Sequence, residues 1–137
     1  MIGVDLSPKM VAMARERMVG GRRVYEEVIE GNILEALEKE EQALDLILAA
    51  DVFVYVGDLK ETLTAAAHAL RPLGMISFSL EGHEGEGFVL HTDKRFGHSM
   101  GYIRELAEKV GLEVAAAERK AIRKDAQGGW IVVLRKK

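Results

Sequence analysis

The sequence predicts an α/β domain built on a mostly parallel sheet with helices on both faces. Strand-like and helix-like segments alternate along all 137 residues, with no linker, repeat or low-complexity tract between them. Residues 44–50 are almost continuously apolar, which is typical of a parallel strand buried on both faces. Two strand-like segments close the chain, at 112–123 and 129–135, and we expect an antiparallel pair joined around residues 125–129. We therefore expect a single domain over residues 1–137.

Composition and charge are those of an ordinary globular protein. Hydrophobic residues make up 48% and charged residues 30%, and 19 Lys plus Arg against 22 Asp plus Glu give a net charge of −3. The basic excess of a nucleic-acid-binding surface is lacking, and no apolar run approaches the roughly 18 residues of a membrane span. Cysteine is absent, which excludes disulfides and thiolate metal sites. Since the N-terminus also lacks a signal-peptide pattern, we expect a cytoplasmic protein that binds neither nucleic acid nor membranes.

The N-terminal segment predicts a short strand followed by a capped helix. Residues 1–5 form the strand. Ser7 caps the helix, and Pro8 lies in its first turn, where the missing N–H costs nothing. The helix is expected to run to about Met18, where a glycine pair ends it.

The middle of the chain continues the alternation. Residues 24–30 predict a strand and 34–41 a charged helix, before the apolar strand at 44–50. Asp58 and Glu61 have the spacing of a capping box at the start of the next helix. The apolar face of that helix consists of Leu59, Leu63, Ala66, Ala67 and Leu70.

The following segment predicts a strand, a long loop and a helix. Residues 71–74 end the preceding helix and 75–80 form the strand. The glycine- and histidine-rich residues 81–98 are expected to form a loop whose length marks it as functional or mobile. His98-Ser99 then begins a helix that Gly111 closes.

Two acidic residues follow predicted strands, where α/β folds bind ligands. Asp5 ends an apolar run and precedes a helix start. In nucleotide-binding α/β folds, a carboxylate at this position accepts hydrogen bonds from ribose hydroxyls, and it normally lies about 20 residues after a glycine-rich turn. Only four residues precede it here. Asp51, with Ala50, ends the strand at 44–50. The alternatives are a carboxylate that interacts with a helix N-terminus, for Asp5, and a cap for the turn at 52–53, for Asp51.

Five motifs in order give the chain a family resemblance. They are Gly3 to Met10, Glu30-Gly31-Asn32, Asp45 to Phe53, Leu70 to Gly74, and Arg95 to Ser99. Together with the antiparallel last strand, they resemble the class I S-adenosylmethionine-dependent methyltransferases. The last motif is similar to one in bacterial methyltransferase domains that accompany tetratricopeptide repeats. The resemblance implies a Rossmann-like three-layer sandwich.

The same resemblance implies S-adenosylmethionine as the cofactor and assigns roles at its adenosine end. Asp5 would bind the ribose hydroxyls and Leu6 would lie against the adenine. Asn32 would accept a hydrogen bond from the adenine amino group, with the Ile33 backbone beside it. Ala50 and Asp51 would complete the cofactor-binding edge. The resemblance leaves the catalytic residues unknown.

One part of the family pattern has no counterpart in the sequence. This is the first strand with its preceding helix and its Gly-x-Gly-x-Gly turn, because Gly82, Gly85 and Gly87 follow a later strand and are interpreted as loop residues. We therefore expect weak or lost cofactor binding, whether the chain starts here naturally or from a misassigned start codon. Two functions follow: a methyltransferase acting on an unknown small-molecule or protein acceptor, impaired or inactive in this chain, or a non-catalytic interaction module that keeps the fold.

The missing strand would lie between strands 1–5 and 44–50, leaving two strands with unpaired edges. The two could pair with each other, the first could detach, or a second copy could fill the space. We expect a homodimer through the N-terminal strand region.

Other side chains have two interpretations each. The histidines of the long loop, His83, His91 and His98, fit no metal pattern, and solvated side chains are expected, with proton transfer or substrate contact as the alternative. Tyr55 lines a substrate cleft or covers the edge of the core. Three methionines on the first helix are expected in the core: Met10, Met13 and Met18.

Overall fold

The computed structural model describes residues 1–121 and 128–137 and confirms an α/β fold. Its strands are β1 (Ile2–Asp5), β2 (Met18–Val19), β3 (Arg22–Arg23), β4 (Glu27–Glu30), β5 (Leu44–Ala49), β6 (Leu70–Gly82), β7 (Phe88–Leu90), β8 (Phe96–His98), β9 (Leu112–Lys120) and β10 (Gly129–Lys136). Its helices are α1 (Pro8–Glu16), α2 (Ile33–Glu38), α3 (Lys60–Ala69) and α4 (Met100–Val110), with a 3₁₀ turn at Phe53–Tyr55.

The strands form two main sheets. β1 pairs in parallel with β4 in a two-stranded sheet. A six-stranded sheet has the order β7-β8-β6-β10-β9, and β5 pairs in parallel with β6. β10 runs antiparallel to both β6 and β9, which confirms the antiparallel end of the predicted sheet. Most of the turn predicted between these last two strands lies outside the described residues.

The hydrophobic core lies between the six-stranded sheet and the helices α3 and α4. Alternate side chains of β6 and β10 point into it, among them Ile76, Phe78 and Leu134, and all three are buried. The predicted apolar face of α3 is confirmed, since its five members are buried. No helix in the described ranges is long and apolar enough to cross a membrane.

The predicted bounds of the first helix and the second strand are wrong. α1 ends at Glu16, because Arg17 is already extended. Gly20-Gly21, predicted to stop the helix, instead forms the turn of the β2–β3 hairpin, and both glycines have the positive φ that such a turn requires. β4 accordingly begins three residues later than predicted, at Glu27.

β6 is longer than predicted, and the long loop contains strands. The segment 71–74, predicted as a stop, lies inside β6, which begins at Leu70 and runs for 13 residues. β5 pairs along its first part and β8 at its last two residues, so neighbouring strands impose the extended conformation. Within 81–98, β7 and β8 pair antiparallel, so this segment is not one structureless loop. α2 also ends three residues earlier than predicted.

Two burial predictions are wrong. β5 was expected to be covered on both faces, yet Leu46 and Leu48 are largely exposed while Ile47 and Ala49 are buried. The buried pair belongs to the core cluster that also contains residues of α3 and α4, so these helices lie on that face of β5. Met10 and Met13, predicted in the core, are about half exposed, as is Met18. The core face of α1 is instead marked by Val11, its one buried residue.

Candidate functional site

The pairing of β1 with β4 brings four predicted cofactor residues to one edge. The strands are parallel and Asp5 lies opposite Glu30, so the segments that follow β1 and β4 leave the sheet at the same edge. Asp5 and Leu6 follow β1 there, and Asn32 and Ile33 follow β4. The carboxyl edge of a parallel sheet is where α/β folds bind nucleotides.

Asp5 has one carboxylate oxygen engaged locally. Its Oδ1 accepts a hydrogen bond from the Ser7 backbone N–H at 2.8 Å, and Ser7 in turn caps α1 by accepting from the Met10 N–H. This hydrogen bond agrees with the alternative interpretation of Asp5, a carboxylate that interacts with a helix N-terminus. Its other oxygen makes no hydrogen bond within the described part of the chain, so a ribose hydroxyl can still bind there. Leu6 beside it is 71% exposed.

Asn32 is the N-cap of α2. Its Oδ1 accepts from the Leu34 N–H at 2.7 Å, which positions the side chain at the edge of the sheet and explains why the helix begins at Ile33. An amide oxygen has a second lone pair, and the Asn32 side chain is exposed. The residue therefore retains the capacity to accept from an adenine amino group.

Asp51 lies after β5 and is held by other side chains. It has a positive φ, its backbone N–H donates to Ser79 Oγ at 2.8 Å, and its carboxylate forms a salt bridge with Arg95. The 3₁₀ turn that follows has Val52 at its N-cap position and no side-chain cap among the described residues, so the predicted capping role of Asp51 is wrong. Ala50 is exposed beside it.

Arg95 connects Asp51 to two further groups at the carboxyl edge of the six-stranded sheet. Its Nε donates to Glu81 at 2.8 Å, and another guanidinium N–H donates to the Tyr55 hydroxyl at 3.1 Å. The side chains of Arg95 and Glu81 are only 11% and 7% exposed. Burial alone would lower the pKa of Arg95, but the bonds to Asp51 and Glu81 outweigh it and raise that pKa. Tyr55 itself is mostly exposed, with the guanidinium over its ring.

The Arg95–Glu81 pair was not predicted from the sequence. Arg95 lies in the motif that ends at Ser99, but nothing in the spacing of the chain indicates Glu81 as its partner. The pairing follows from β6 and β8 lying side by side, with Glu81 opposite Gly97. Because β8 was predicted as loop, this contact could not be derived from the pattern.

His98 is buried, and the prediction of a solvated histidine is wrong at this position. Its Nε2 lies 2.9 Å from the carbonyl oxygens of both Val56 and Gly57, to which it donates, and its ring stacks on Tyr102. Burial lowers the pKa of His98, although these two hydrogen bonds oppose the shift. His83 and His91 are partly buried. No metal-binding cluster of His, Cys, Asp or Glu occurs in residues 1–121 and 128–137.

Tyr102 connects α4 to the start of α3. Its hydroxyl accepts from the Leu59 N–H at 2.8 Å and donates to Asp58 at 2.9 Å, and burial raises the pKa of Tyr102 to about 12. Asp58 also accepts from the Lys60 N–H. The predicted capping box is wrong, because α3 has Leu59 at its N-cap position without a side-chain hydrogen bond.

A cavity of about 410 Å³ opens at the carboxyl end of β6. His83, Met100 and Trp130 line it, together with Arg119, whose guanidinium lies over the Trp130 ring. Gly82, which also lines the cavity, directly follows Glu81 of the Arg95–Glu81 pair at the end of β6. This is the side of the six-stranded sheet on which Asp51 also lies.

Comparison with known sequences decides the family. The sequence profile of a family described as "Methyltransferase domain" matches residues 1–76, more than half of the chain. The chain belongs to this methyltransferase family. No curated protein matches the sequence significantly.

Solved methyltransferase structures share the fold at low sequence identity. An S-adenosylmethionine-dependent methyltransferase from Methanosarcina mazei has a TM-score of 0.72 at 11% identity, with 98% of this chain and 81% of that one covered. The 1,6-didemethyltoxoflavin-N1-methyltransferase of Burkholderia thailandensis, solved with S-adenosylhomocysteine, has a TM-score of 0.73 at 17% identity, with 99% of this chain and 60% of that one covered. The magnesium protoporphyrin IX methyltransferase of Synechocystis, solved with S-adenosylmethionine, has a TM-score of 0.71 at 15% identity, with 99% of this chain and 59% of that one covered. The chain thus spans about three fifths of the last two.

Proposed function

We propose that this methyltransferase domain binds the adenosine end of S-adenosylmethionine at the carboxyl edge of β1 and β4. The observation that supports this most is the parallel β1–β4 register, which brings Asp5 and Leu6 beside Asn32 and Ile33. Two of the similar structures were solved with S-adenosylmethionine or S-adenosylhomocysteine bound.

The side chains at this edge fit an adenosine. The Asp5 oxygen that does not bind Ser7 is an acceptor for ribose hydroxyls, and the second lone pair of Asn32 Oδ1 is an acceptor for the adenine amino group. Leu6 offers an exposed apolar surface to the base. We extend the site to Ala50 and Asp51, at the carboxyl end of β5.

Methyl transfer from the sulfonium of the cofactor needs chiefly proximity and in-line alignment, because the donor is already activated. The residues of this chain therefore have to position the methyl donor and the acceptor, and none of them has to act as a nucleophile. We propose that the acceptor, a small molecule or a protein, approaches at the carboxyl edge of the six-stranded sheet, near Tyr55 and the cavity beside Trp130.

We further propose that cofactor binding by this chain is weak. Leu6 is 71% exposed, Asn32 is a neutral acceptor, and Asp51 is already paired with Arg95. The sequence also contains no Gly-x-Gly-x-Gly turn. Each hydrogen bond to a charged group contributes about 1.5–3 kcal/mol. Because few such hydrogen bonds are available at this edge, we expect a small free energy of cofactor binding.

A non-catalytic interaction module is the second candidate. The specific observation in its favour is that all three polar site residues have structural partners: Asp5 holds Ser7, Asn32 caps α2, and Asp51 holds Arg95. The fold would retain these side chains even without a cofactor. The two candidates differ in whether the chain binds adenosine compounds at all.

Titration calorimetry with S-adenosylmethionine and S-adenosylhomocysteine distinguishes them. We expect saturable binding with a dissociation constant in the tens of micromolar or weaker, about −6 to −7 kcal/mol. Asp5→Ala should abolish it, whereas Glu27→Ala, which removes an exposed carboxylate at the other end of β4, should not change it. A sub-micromolar constant would contradict weak binding. Equal affinity in Asp5→Ala and parent would remove Asp5 from the site, and no detectable binding would favour the module.

A further inference from the structure

The cavity at the carboxyl end of β6 has an arginine on the core-facing side of the sheet. Trp130 on β10 lies opposite Arg119 on β9 and opposite Leu80 on β6. Directly opposite side chains lie on the same face of a sheet, so Arg119 shares a face with the buried Leu80. The earlier core-facing positions of β9 are apolar, namely Val114 and Ala117. Arg119 therefore interrupts an apolar row at the point where the cavity opens.

Arg119 has no counter-charge in the described part of the chain. Its neighbour Lys120 pairs with Glu118, whereas Arg119 forms no salt bridge with any described residue. Its guanidinium lies over the Trp130 ring, 5.7 Å from the ring centroid. A guanidinium placed over an aromatic ring keeps its N–H donors available, because stacking uses its face and the donors lie in its plane. Arg119 can therefore bind an anion inside the cavity.

The indole N–H of Trp130 is a second donor in this cavity. Its Nε1 lies 3.9 Å from the position that a Cβ on Gly82 would occupy, at the end of β6. The N–H has no hydrogen-bond partner among the described residues, and it is not one of the fully buried unpaired atoms, so a ligand can reach it. A guanidinium and an indole N–H both donate only. Together they favour a group that only accepts hydrogen bonds, such as a carboxylate.

The other walls of the cavity favour a small molecule with a flat ring. The Trp130 indole and the Met100 thioether line it, and both pack well against aromatic rings. Its volume of about 410 Å³ lies in the range of small-molecule sites, roughly 300–1,000 Å³. Arg119 is the one guanidinium or ammonium group among the described lining residues, and Glu84 adds a negative charge. A single anionic group therefore suits the cavity better than a polyphosphate.

The cavity lies at the same edge as residues proposed for the cofactor. Ser79 Oγ accepts a hydrogen bond from the Asp51 backbone N–H, and Gly82, which lines the cavity, is three residues further along β6. At about 3.3 Å per residue, the separation along the strand is roughly 10 Å. A small molecule in the cavity is therefore close to the carboxyl end of β5.

We propose that this cavity binds an aromatic carboxylate, a small molecule whose carboxylate is held by Arg119 and the Trp130 N–H and whose ring packs against Trp130 and Met100. The role of this ligand as the methyl acceptor rests on the proposed function, whereas its binding rests on the cavity alone. Binding therefore has to be measured without S-adenosylmethionine.

NMR titration of labelled protein with benzoate tests the site. Trp130 is the one tryptophan of the sequence, so a single indole N–H signal reports on the cavity. We expect this signal to shift saturably, with a dissociation constant of about a millimolar for so small a probe. Three analogues each lack one feature: benzamide is uncharged, benzylamine is a cation, and acetate has no ring. Each should bind at least about tenfold more weakly than benzoate.

Variants of the charged lining residues have opposite expected effects. Arg119→Gln should weaken benzoate binding at least about tenfold, because it removes the charged donor. Glu84→Gln should strengthen binding or leave it unchanged, because it removes an opposing charge. Arg104→Gln, at an exposed position on α4, is the matched control and should bind benzoate like the parent. Circular dichroism shows whether each variant is folded, and the comparison of benzoate with benzamide in the parent needs no variant.

Four results would overturn the proposal. They are an unmoved Trp130 signal, equal affinity for benzoate and benzamide, tighter binding of benzylamine than of benzoate, and a folded Arg119→Gln that binds benzoate like the parent. Asp5→Ala should bind benzoate normally, because Asp5 does not line the cavity. Benzoate binding without any binding of S-adenosylhomocysteine would therefore contradict the proposed function alone, and the reverse result would contradict this inference alone.

Discussion

His98 makes the stability of the fold depend on pH. It is fully buried, its Nε2 donates to two carbonyl oxygens, and its Nδ1 has no hydrogen-bond partner among the described residues. Protonation would place an unpaired charge in the core, and burial accordingly lowers the pKa of His98 below 6.5. The unfolded chain therefore takes up this proton first as the pH falls. Stability is fully present above about pH 6.5 and is lost below it, by at most ~1.4 kcal/mol per pH unit.

Urea unfolding between pH 7.5 and 5.5 checks this residue-level prediction. The free energy of unfolding of the parent should fall more steeply with decreasing pH than that of His98→Gln. His68→Gln, at an exposed position in the last turn of α3, should keep the slope of the parent. If His98→Gln is too unstable to measure, NMR titration of the parent imidazole replaces it. Parallel slopes, or a His98 imidazole that titrates at or above pH 6.5, would contradict the buried neutral state.

At the scale of elements, an aromatic cluster around Gly57 fastens β7, β8 and α4 to the segment after the 3₁₀ turn. Phe88 packs edge-on against Phe96 and contacts both His98 and Tyr102. A Cβ on Gly57 would lie 2.8 Å from Phe96 and 2.9 Å from Phe88. The cluster therefore requires a residue without a side chain at position 57.

Gly57→Ala should destabilise the fold by about 1–3 kcal/mol, because overpacking forces the two rings to move. Gly101→Ala is the matched control. Among the described residues, nothing lies within 4 Å of a Cβ there, and the residue is in α4, so alanine should stabilise by roughly 0.5–1 kcal/mol. Chemical unfolding of both variants gives the two signs. An unchanged or increased stability in Gly57→Ala would show that the rings accommodate the methyl group without cost.

Elements with local signals were predictable from the sequence, and elements fixed by distant partners were not. α4 has Ser99 as its cap, Gly111 in the left-handed region after its last turn, and helical apolar spacing, so it was predicted almost to the residue. β7 and β8 have three residues each among glycines and histidines, and they are strands because β6 lies alongside. The first part of β6 contains Pro72 and Gly74, which indicate a turn locally, yet its pairing with β5 keeps it extended.

For the whole molecule, the fold class and the family followed from motif order, while the electrostatic partners at the site did not. The alternation of elements with an antiparallel last strand predicted the fold class, and the observed strand pairing confirms it. The order of the motifs predicted the family, and the match to the family profile confirms it. That Asp51 pairs with Arg95, and Arg95 with Glu81, depends on contacts over 44 and 14 residues of sequence. Periodicity contains no information on such contacts.

The central claim is that adenosine binds where β1 and β4 end, and NMR titration of labelled protein with S-adenosylhomocysteine tests it most directly. We expect the backbone amide signals of Leu6, Asn32 and Ile33 to shift progressively with ligand concentration, and the same shifts to vanish in Asp5→Ala. Signals at the far end of these strands, such as that of Glu27, should stay in place. Shifts confined to residues away from this edge, or identical shifts in Asp5→Ala, would contradict the claim.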